Sequence, residues 1–480
     1  MTPGKKGKTK IVCTLGPSTC VVDRLVQLIR AGMDVARLNF SHGSYDDHRI
    51  ALHNLNEAMR QTGEQIALLQ DLQGPKIRIG EFGAPSVQLT AGDTFTISTE
   101  PVVGTASEVS TSYTHLTSDV HSGDNILLDD GKLRLRVREV KQARVVCEVI
   151  VGGTLSGHKG INLPGSSVSA PSFTEKDLRD LEFGLMNGID YVALSFVRSA
   201  DDICELRKAI VQRAGEDRVL PIIAKIEKPQ SIANIDAIIS EADGIMVARG
   251  DLGVELPPED VPLLQKMIIK KCNTAGKPVI IATQMLESMI NSPTPTRAEA
   301  SDVANAVVDG GDAVMLSGET SVGKFPLEAV QIMDRIIRKV ESEHVGPVRL
   351  IDRALGGVES QHDALGRAAC VLAEQMNAAA IVAVTRSGET ARVISHYRPR
   401  PQIIAITDSP GILRRLGLMW GVEGMVIEHL SDDSDKALQE IQEQLGNSGM
   451  VGRGEFVVLL AGQPFFARGS TNFIKVEKVT

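Results

Sequence analysis

Leu220-Pro-Ile-Ile-Ala-Lys-Ile-Glu-Lys228 and Gly244-Ile-Met-Val-Ala-Arg-Gly-Asp251 are the stretches whose reading decides the fold. Each opens as a short run of aliphatic and β-branched residues and ends in charge. Strands buried on both faces look like this. The pattern gives strands from Leu220 to Ile226 and from Gly244 to Ala248, and it recurs on either side. Upstream it fits Thr9 to Leu15, Asp34 to Phe40, Ile66 to Leu72 and Tyr191 to Phe196; downstream it fits Pro278 to Thr283 and Ala313 to Ser317. Between these runs lie amphipathic helical patterns such as Val22 to Ala31, Glu175 to Met186, Asp201 to Ala214 and Leu263 to Ala275. Eight buried strands alternating with helices predict a parallel (β/α)8 barrel, the fold class α/β.

The rhythm breaks between Gln73 and about Ala170, where Gly, Ser and Thr accumulate and the alternation has period two, as in Leu133-Arg-Leu-Arg-Val-Arg138. Turn signals at Gly92-Asp93, Gly123-Asp124 and Asp130-Gly131 punctuate it. A small antiparallel β domain inserted after the third strand is predicted, placed as a lid would be. After the helical pattern from Leu327 to Glu343, Val345-Gly-Pro-Val348 reads as a joint. Apolar strands at Ile381 to Thr385, Ile403 to Thr407, Met425 to Ile427 and Phe456 to Leu460, with helices at Asp363 to Met376 and Asp435 to Leu445, then predict an open α/β domain. The expected division is barrel 1–72, lid 73–170, barrel 171–344 and third domain 345–480.

The 480 residues include 51 Lys and Arg against 60 Asp and Glu, a formal charge of −9, with one Trp and four Tyr. That balance argues against a nucleic-acid partner, which needs a basic footprint. The six cysteines are scattered, with no C-x-x-C and no H-E-x-x-H, so free thiols in a reducing compartment are expected. The basic N-terminus leads into too short an apolar run for a signal peptide, and no segment approaches the about 18 apolar residues of a membrane span. A cytoplasmic protein without a membrane partner is expected.

A barrel of this kind carries its site at the carboxyl ends of the strands. Strand two ends in Arg37, Asn39, Ser41 and His42; strand three in Asp71, with Lys76 and Arg78 following; strand five in Lys225, Glu227 and Lys228. Strands six, seven and eight end in Arg249-Gly250-Asp251, Thr283-Gln284 and Ser317-Gly318-Glu319. Such convergence of charge at one end calls for a polar ligand or a metal. Alternation points Lys225 and Glu227 to one face. Glu227 and Asp251 offer hard carboxylate oxygens suited to Mg²⁺, and Arg37 and Lys225 add fixed positive charge; the set describes a site for a small, multiply anionic, phosphorylated substrate. A plain Lys–Glu ion pair is the simpler alternative.

Two further motifs bear on phosphate binding. Gly318 to Lys324 nearly spells a P-loop, but Phe325 stands where a hydroxyl would hold Mg²⁺. Thr385, Ser387, Gly388 and Thr390 lie between a strand and a helix, where hydroxyls and backbone N–H groups make an anion site or an ordinary cap.

Ala36 to Gly43, Asp71 to Arg78, Lys159 to Gly165, Ile223 to Glu227, Val247 to Glu255, Ala282 to Met289 and Met315 to Thr320 together resemble the motifs of the pyruvate kinase family, in order and with the inserted lid in place. The resemblance implies phosphoryl transfer from phosphoenolpyruvate to ADP, giving ATP and pyruvate. By position it assigns Mg²⁺, with Mn²⁺ as a substitute, to Glu227 and Asp251. It gives Arg37 and Lys225 to the phosphoryl group, and the Gly250 and Asp251 amides with the Thr283 hydroxyl to the substrate carboxylate. Catalysis falls to Lys225, Arg37 and Thr283. Asn39, Ser41, His42, Arg78 and Lys159 fall on the nucleotide side. The Thr385 to Thr390 loop is similar to the family's effector-phosphate loop, and a homotetramer is implied. Asn39, Ser41, Asp71 and Leu72 resemble the family's K⁺ pocket. Many members carry Glu where this chain has Lys76, and Thr where it has Leu72; the Lys76 ammonium beside Asp71 is expected to serve instead of K⁺.

A metal-dependent aldolase of pyruvate-class substrates on a related barrel is the alternative enzyme, and a non-catalytic metabolite sensor the alternative binder. The first has no use for a lid carrying Lys159; loss of Arg37, Lys225, Glu227 or Asp251 would have favoured the second, and all four are present.

Overall fold

In the computed structural model the described residues are 7–165, 169, 171–215, 220–343, 361–431, 433–463, 465–466 and 471–479. The joint expected at Val345 to Val348 and the nominal domain edges at 170 and 345 lie outside them.

Eight parallel strands close the barrel: β1 (Lys10–Thr14), β2 (Val35–Asn39), β3 (Ala67–Asp71), β4 (Tyr191–Leu194), β5 (Ile222–Ile226), β6 (Gly244–Ala248), β7 (Val279–Ala282) and β8 (Ala313–Leu316). Every residue of β1, β3, β6, β7 and β8 is buried, as near-continuous hydrophobicity requires. The side chains sort by alternation. Val12, Val35, Leu69, Ala193, Ile223, Met246, Ile280 and Met315 fill the barrel, while Leu68, Val192, Ala224 and Val247 pack under the helices. Ile223 points inward, so Lys225 and Glu227, two and four residues on, point into the barrel mouth.

The helices start where local chemistry dictates. Ser44 with Asp47, Thr174 with Asp177 and Thr296 with Glu299 form capping boxes. Asp177 also accepts the Gly74 N–H at 2.9 Å, tying the exit of β3 to the return helix Glu175–Met186. The long helix Tyr45–Thr62 fills the interval between β2 and β3, where the alternation of strands and helices places one.

The inserted unit has its own core and two sheets, one of six strands and one of two. In its strand Leu133–Lys141, Leu133, Leu135 and Val137 are buried and Arg134, Arg136 and Arg138 exposed, as the period-two reading predicts. The third unit carries the expected open sheet with one addition. Four parallel strands are joined by Phe473–Lys478, antiparallel to Phe456–Ala461. The strand expected at Met425 to Ile427 lies at Val422–Val426. Among the described residues no helix is long and apolar enough to cross a membrane.

Candidate active site

Lys225 is the centre of the barrel mouth. Its ammonium donates to Ser195 Oγ at 2.7 Å and pairs with Glu227 Oε1 at 2.8 Å and Asp71 Oδ1 at 3.2 Å. Burial works against that charge, but Asp71, Glu227 and Asp251 outweigh it, and the Lys225 pKa lies well above the ordinary lysine value. It is a permanent cation. Arg37, on β2, donates from Nε to Asp71 Oδ2 at 2.7 Å and from Nη1 to Thr14 Oγ1 at 2.8 Å. Burial pushes Asp71 up, yet Lys225 and Arg37 together hold its carboxyl below the usual range.

Glu227 is 1% exposed. Burial raises its pKa, against the pull of Lys225, and its Oε2 accepts the Phe196 N–H at 2.7 Å. Arg249–Glu255, directly after β6, is a helix, so Gly250 and Asp251 sit in its first turn. Asp251 makes no hydrogen bond or ion pair among the described residues and lines a cleft with Lys76, Asp130, Asn162, Phe196 and Lys228. Among the described residues no group of three or more His, Cys, Asp or Glu side chains forms a metal cage. Asp251 on the open cleft and the buried Glu227, near enough for the Asp251 charge to act on it, fit Mg²⁺, which completes its shell with substrate oxygens and water, better than a metal needing an all-protein cage.

Thr283 follows β7 with φ +69°, a strained setting for a β-branched residue. The conformation brings its Oγ1 to the Gly250 N–H at 2.6 Å, and that hydroxyl donates to the Ala282 carbonyl at 2.6 Å. Asn39 Oδ1 accepts the Ser41 N–H at 3.1 Å, and the Phe40 N–H reaches the Asp71 carbonyl at 3.0 Å. His42 is held below its ordinary pKa by partial desolvation and then by Lys76, Arg78 and Arg37.

Several expected placements differ. Lys76 does not stand against Asp71, whose carboxylate is taken by Arg37 and Lys225; its ammonium makes no hydrogen bond or ion pair among the described residues and lines the cleft near Asp251. Leu72 is 1% exposed, and only its carbonyl is presented, accepting Ser195 Oγ at 2.8 Å. Lys159 is paired within the lid to Asp129 Oδ1 at 2.8 Å, while Arg78 donates to the His158 carbonyl at 2.9 Å. Glu319 turns into the scaffold and accepts the Leu286 and Ser317 N–H groups at 3.0 and 2.7 Å, so the near P-loop is structural. Arg249 likewise braces Asp302 and the Thr283 carbonyl. Two residues went unread in the sequence: Ser195, one residue past β4, and Thr14, the last of β1. Each is a hydroxyl at a strand end, and that position was the signal.

In the third domain Gly388 has φ +88° and opens the helix Glu389–His396. Thr385 and Thr390 are both 5% exposed and already bonded, Thr385 Oγ1 to the Gly388 N–H at 3.0 Å and Thr390 to Thr471 Oγ1 at 3.1 Å. Ser387 alone of the three hydroxyls is exposed; its Oγ accepts the Glu389 N–H at 3.4 Å.

Fixed cations set against paired carboxylates at the mouth of a (β/α)8 barrel define a site built for a phosphorylated anion. Comparison with known proteins narrows the class. Residues 6–330 match the model of the pyruvate kinase barrel domain and residues 363–477 that of the pyruvate kinase alpha/beta domain. A pyruvate kinase of Geobacillus stearothermophilus is 47% identical over 477 residues, covering 99% of this chain and 81% of the relative. One from Mycobacterium tuberculosis H37Rv is 47% identical over 472 residues, covering 98% of each. A crystal structure of a pyruvate kinase from Cryptosporidium parvum superposes with a TM-score of 0.93 at 39% identity, covering 99% of this chain and 96% of that one. The chain belongs to the pyruvate kinase family, a family of phosphotransferases.

Proposed function

We propose that the cleft moves the phosphoryl group of phosphoenolpyruvate to ADP, and that the pinned Lys225 ammonium is the group that carries the chemistry. The bond from phosphorus to the enol oxygen breaks, a bond from phosphorus to a terminal ADP oxygen forms, and the enolate left behind takes a proton at its methylene carbon to become pyruvate. Phosphoryl transfer is mostly positioning and neutralisation of spread negative charge. Arg37 and Lys225 offer that charge from side chains already held by Thr14, Asp71 and Ser195. As the phosphoryl group departs, Lys225 faces the developing enolate oxygen. The Gly250 and Asp251 amides and the Thr283 hydroxyl hold the substrate carboxylate, which must displace the present bond between Gly250 and Thr283.

Glu227 and Asp251 would hold Mg²⁺, or Mn²⁺ in its place. Bound there, the metal would supply positive charge that offsets the negative charge of the phosphoryl group. Asn39, Ser41, His42 and Arg78 face the nucleotide, and Lys159 exchanges Asp129 for a phosphate oxygen there. K⁺ is not required: Lys76 supplies a cation to the cleft, although it does not sit in the pocket of Asn39, Ser41, Asp71 and Leu72. A phosphorylated effector binds at Ser387 and the amides that open the Glu389 helix, with Thr385, Gly388 and Thr390 shaping the loop. The chain works as a cytoplasmic homotetramer.

Three interactions on one buried ammonium support this reading most strongly. Coupling pyruvate release to a dehydrogenase tests it. Pyruvate should form only with phosphoenolpyruvate, ADP and Mg²⁺ all present; pyruvate formed without nucleotide would instead support the aldolase.

A further inference from the structure

The short helix that carries Gly250 and Asp251 is also where the lid rests. Its last residue, Glu255, has a side chain only 2% exposed, yet it belongs to neither the phosphate nor the metal chemistry. One oxygen, Oε1, accepts from two directions: from Lys228 Nζ at 2.5 Å, just past β5, and from Asn162 Nδ2 at 3.0 Å, on the lid strand Ile161–Asn162. The helix meets the lid again one residue earlier, for the position a Cβ would take on Gly131 lies 3.7 Å from Val254 Cγ1. Lys228 is itself fixed, its ammonium 5.5 Å from the centre of the Phe196 ring, and the Phe196 N–H is the donor on Glu227. A chain of contacts therefore runs from the lid through Asn162, Glu255, Lys228 and Phe196 to one proposed metal carboxylate. Along the helix it runs to the other.

We infer that Glu255 and Asn162 form the latch by which lid position sets the geometry of the substrate site, with Glu255 a positioning residue for the reaction. The physics favours a charged acceptor here. A buried carboxylate that lost Asn162 would keep Lys228 but leave part of its hydrogen-bonding capacity unmet, so the docked lid is preferred. Seven residues of helix turn as one body, so a shift at Glu255 moves Gly250 and Asp251 with it. The inference rests on those two residues being substrate and metal contacts.

Asn162→Ala in the full-length protein tests it by steady-state kinetics together with hydrogen exchange. KM for phosphoenolpyruvate should rise about tenfold, the scale of one hydrogen bond to a charge, with kcat changed less than about twofold. Amides of residues 249–255 should exchange faster, with the third domain unaffected. Glu255→Gln keeps an acceptor for Asn162 and should raise KM less than Glu255→Ala does. The Asn162→Ala, Glu255→Ala double variant should be no worse than Glu255→Ala alone. Unchanged KM and exchange in Asn162→Ala, or additive effects in the double variant, overturn the latch. Asp251→Asn separates the two ideas: if it abolishes activity while Asn162→Ala behaves as the parent, the latch fails and the site reading stands. If Asp251→Asn stays fully active, the site reading fails.

Discussion

The two ends of the barrel treat buried charge in opposite ways. At the amino ends of the strands, Asp34, Asp190, Asp243 and Asp312 precede β2, β4, β6 and β8. Each side chain accepts a backbone N–H of the neighbouring odd-numbered strand, from Ile11, Leu68, Ile222 and Val279, every time at 2.9 Å. Each also has its own cation: Lys10, Arg414, Arg207 and Arg398. Arg414 and Arg398 come from the third domain, whose Leu418 also plugs the barrel and whose Arg415 carbonyl accepts Tyr191 Oη at 2.6 Å. Every carboxylate there is matched by donors. At the carboxyl ends, Asp71, Glu227, Arg37 and Lys225 share partners in one cluster, while Asp251 and Lys76 have no hydrogen bond or ion pair among the described residues. Charge fully answered by the protein stabilises the fold; charge left open is where the proposed substrate and metal would bind.

That contrast can be broken by mutation. The largest effect on turnover belongs to Lys225→Met: with the role proposed for that cation, kcat should fall by about 10²–10³ or more. A variant that raised only KM would contradict the role given to Lys225. Asp190→Ala should do the reverse. Deleting one partner of a buried pair costs about 3–5 kcal/mol, so thermal unfolding should shift down by several degrees while kcat of the folded enzyme stays within about twofold. Smaller again is Thr14→Val, which takes one hydrogen bond from Arg37; KM for phosphoenolpyruvate should rise by about fivefold, measured at saturating ADP. Least of all should be the replacement of K⁺ by tetramethylammonium at equal ionic strength, with initial rates within about twofold. Lys76→Glu should then create a K⁺ requirement. A collapse in rate for the parent enzyme without K⁺ would show that the Lys76 ammonium does not do the ion's work.

The barrel strands, which hydrophobicity alone determines, were legible to within a residue or two. β6 was read to the residue, and so were the helices Val22–Ala31 and Glu175–Met186. What escaped was set by tertiary choice. Phe473–Lys478 is a half-buried edge strand in which Lys475, Glu477 and Lys478 dilute the apolar signal. Arg249–Glu255 holds only seven residues, two of them glycine, too few to show helical periodicity. The inward aim of Lys225 and Glu227 followed from strand alternation, but the turn of Glu319 into the scaffold depends on the Leu286 and Ser317 amides, which no pattern announces. Lys159 could be placed in the lid from sequence, whereas its partner Asp129 sits with φ +50° in a turn whose shape was not readable. The aspartate ring at the other end is written in the chain as an Asp before every second strand, and only the paired register shows its purpose.

Binding of Mn²⁺ followed by electron paramagnetic resonance, with phosphoenolpyruvate present, addresses the metal and its two carboxylates without any turnover. The parent chain should take up one tight ion per active site, and both Glu227→Gln and Asp251→Asn should lose it. Undiminished binding in either variant would place the metal elsewhere and contradict the site.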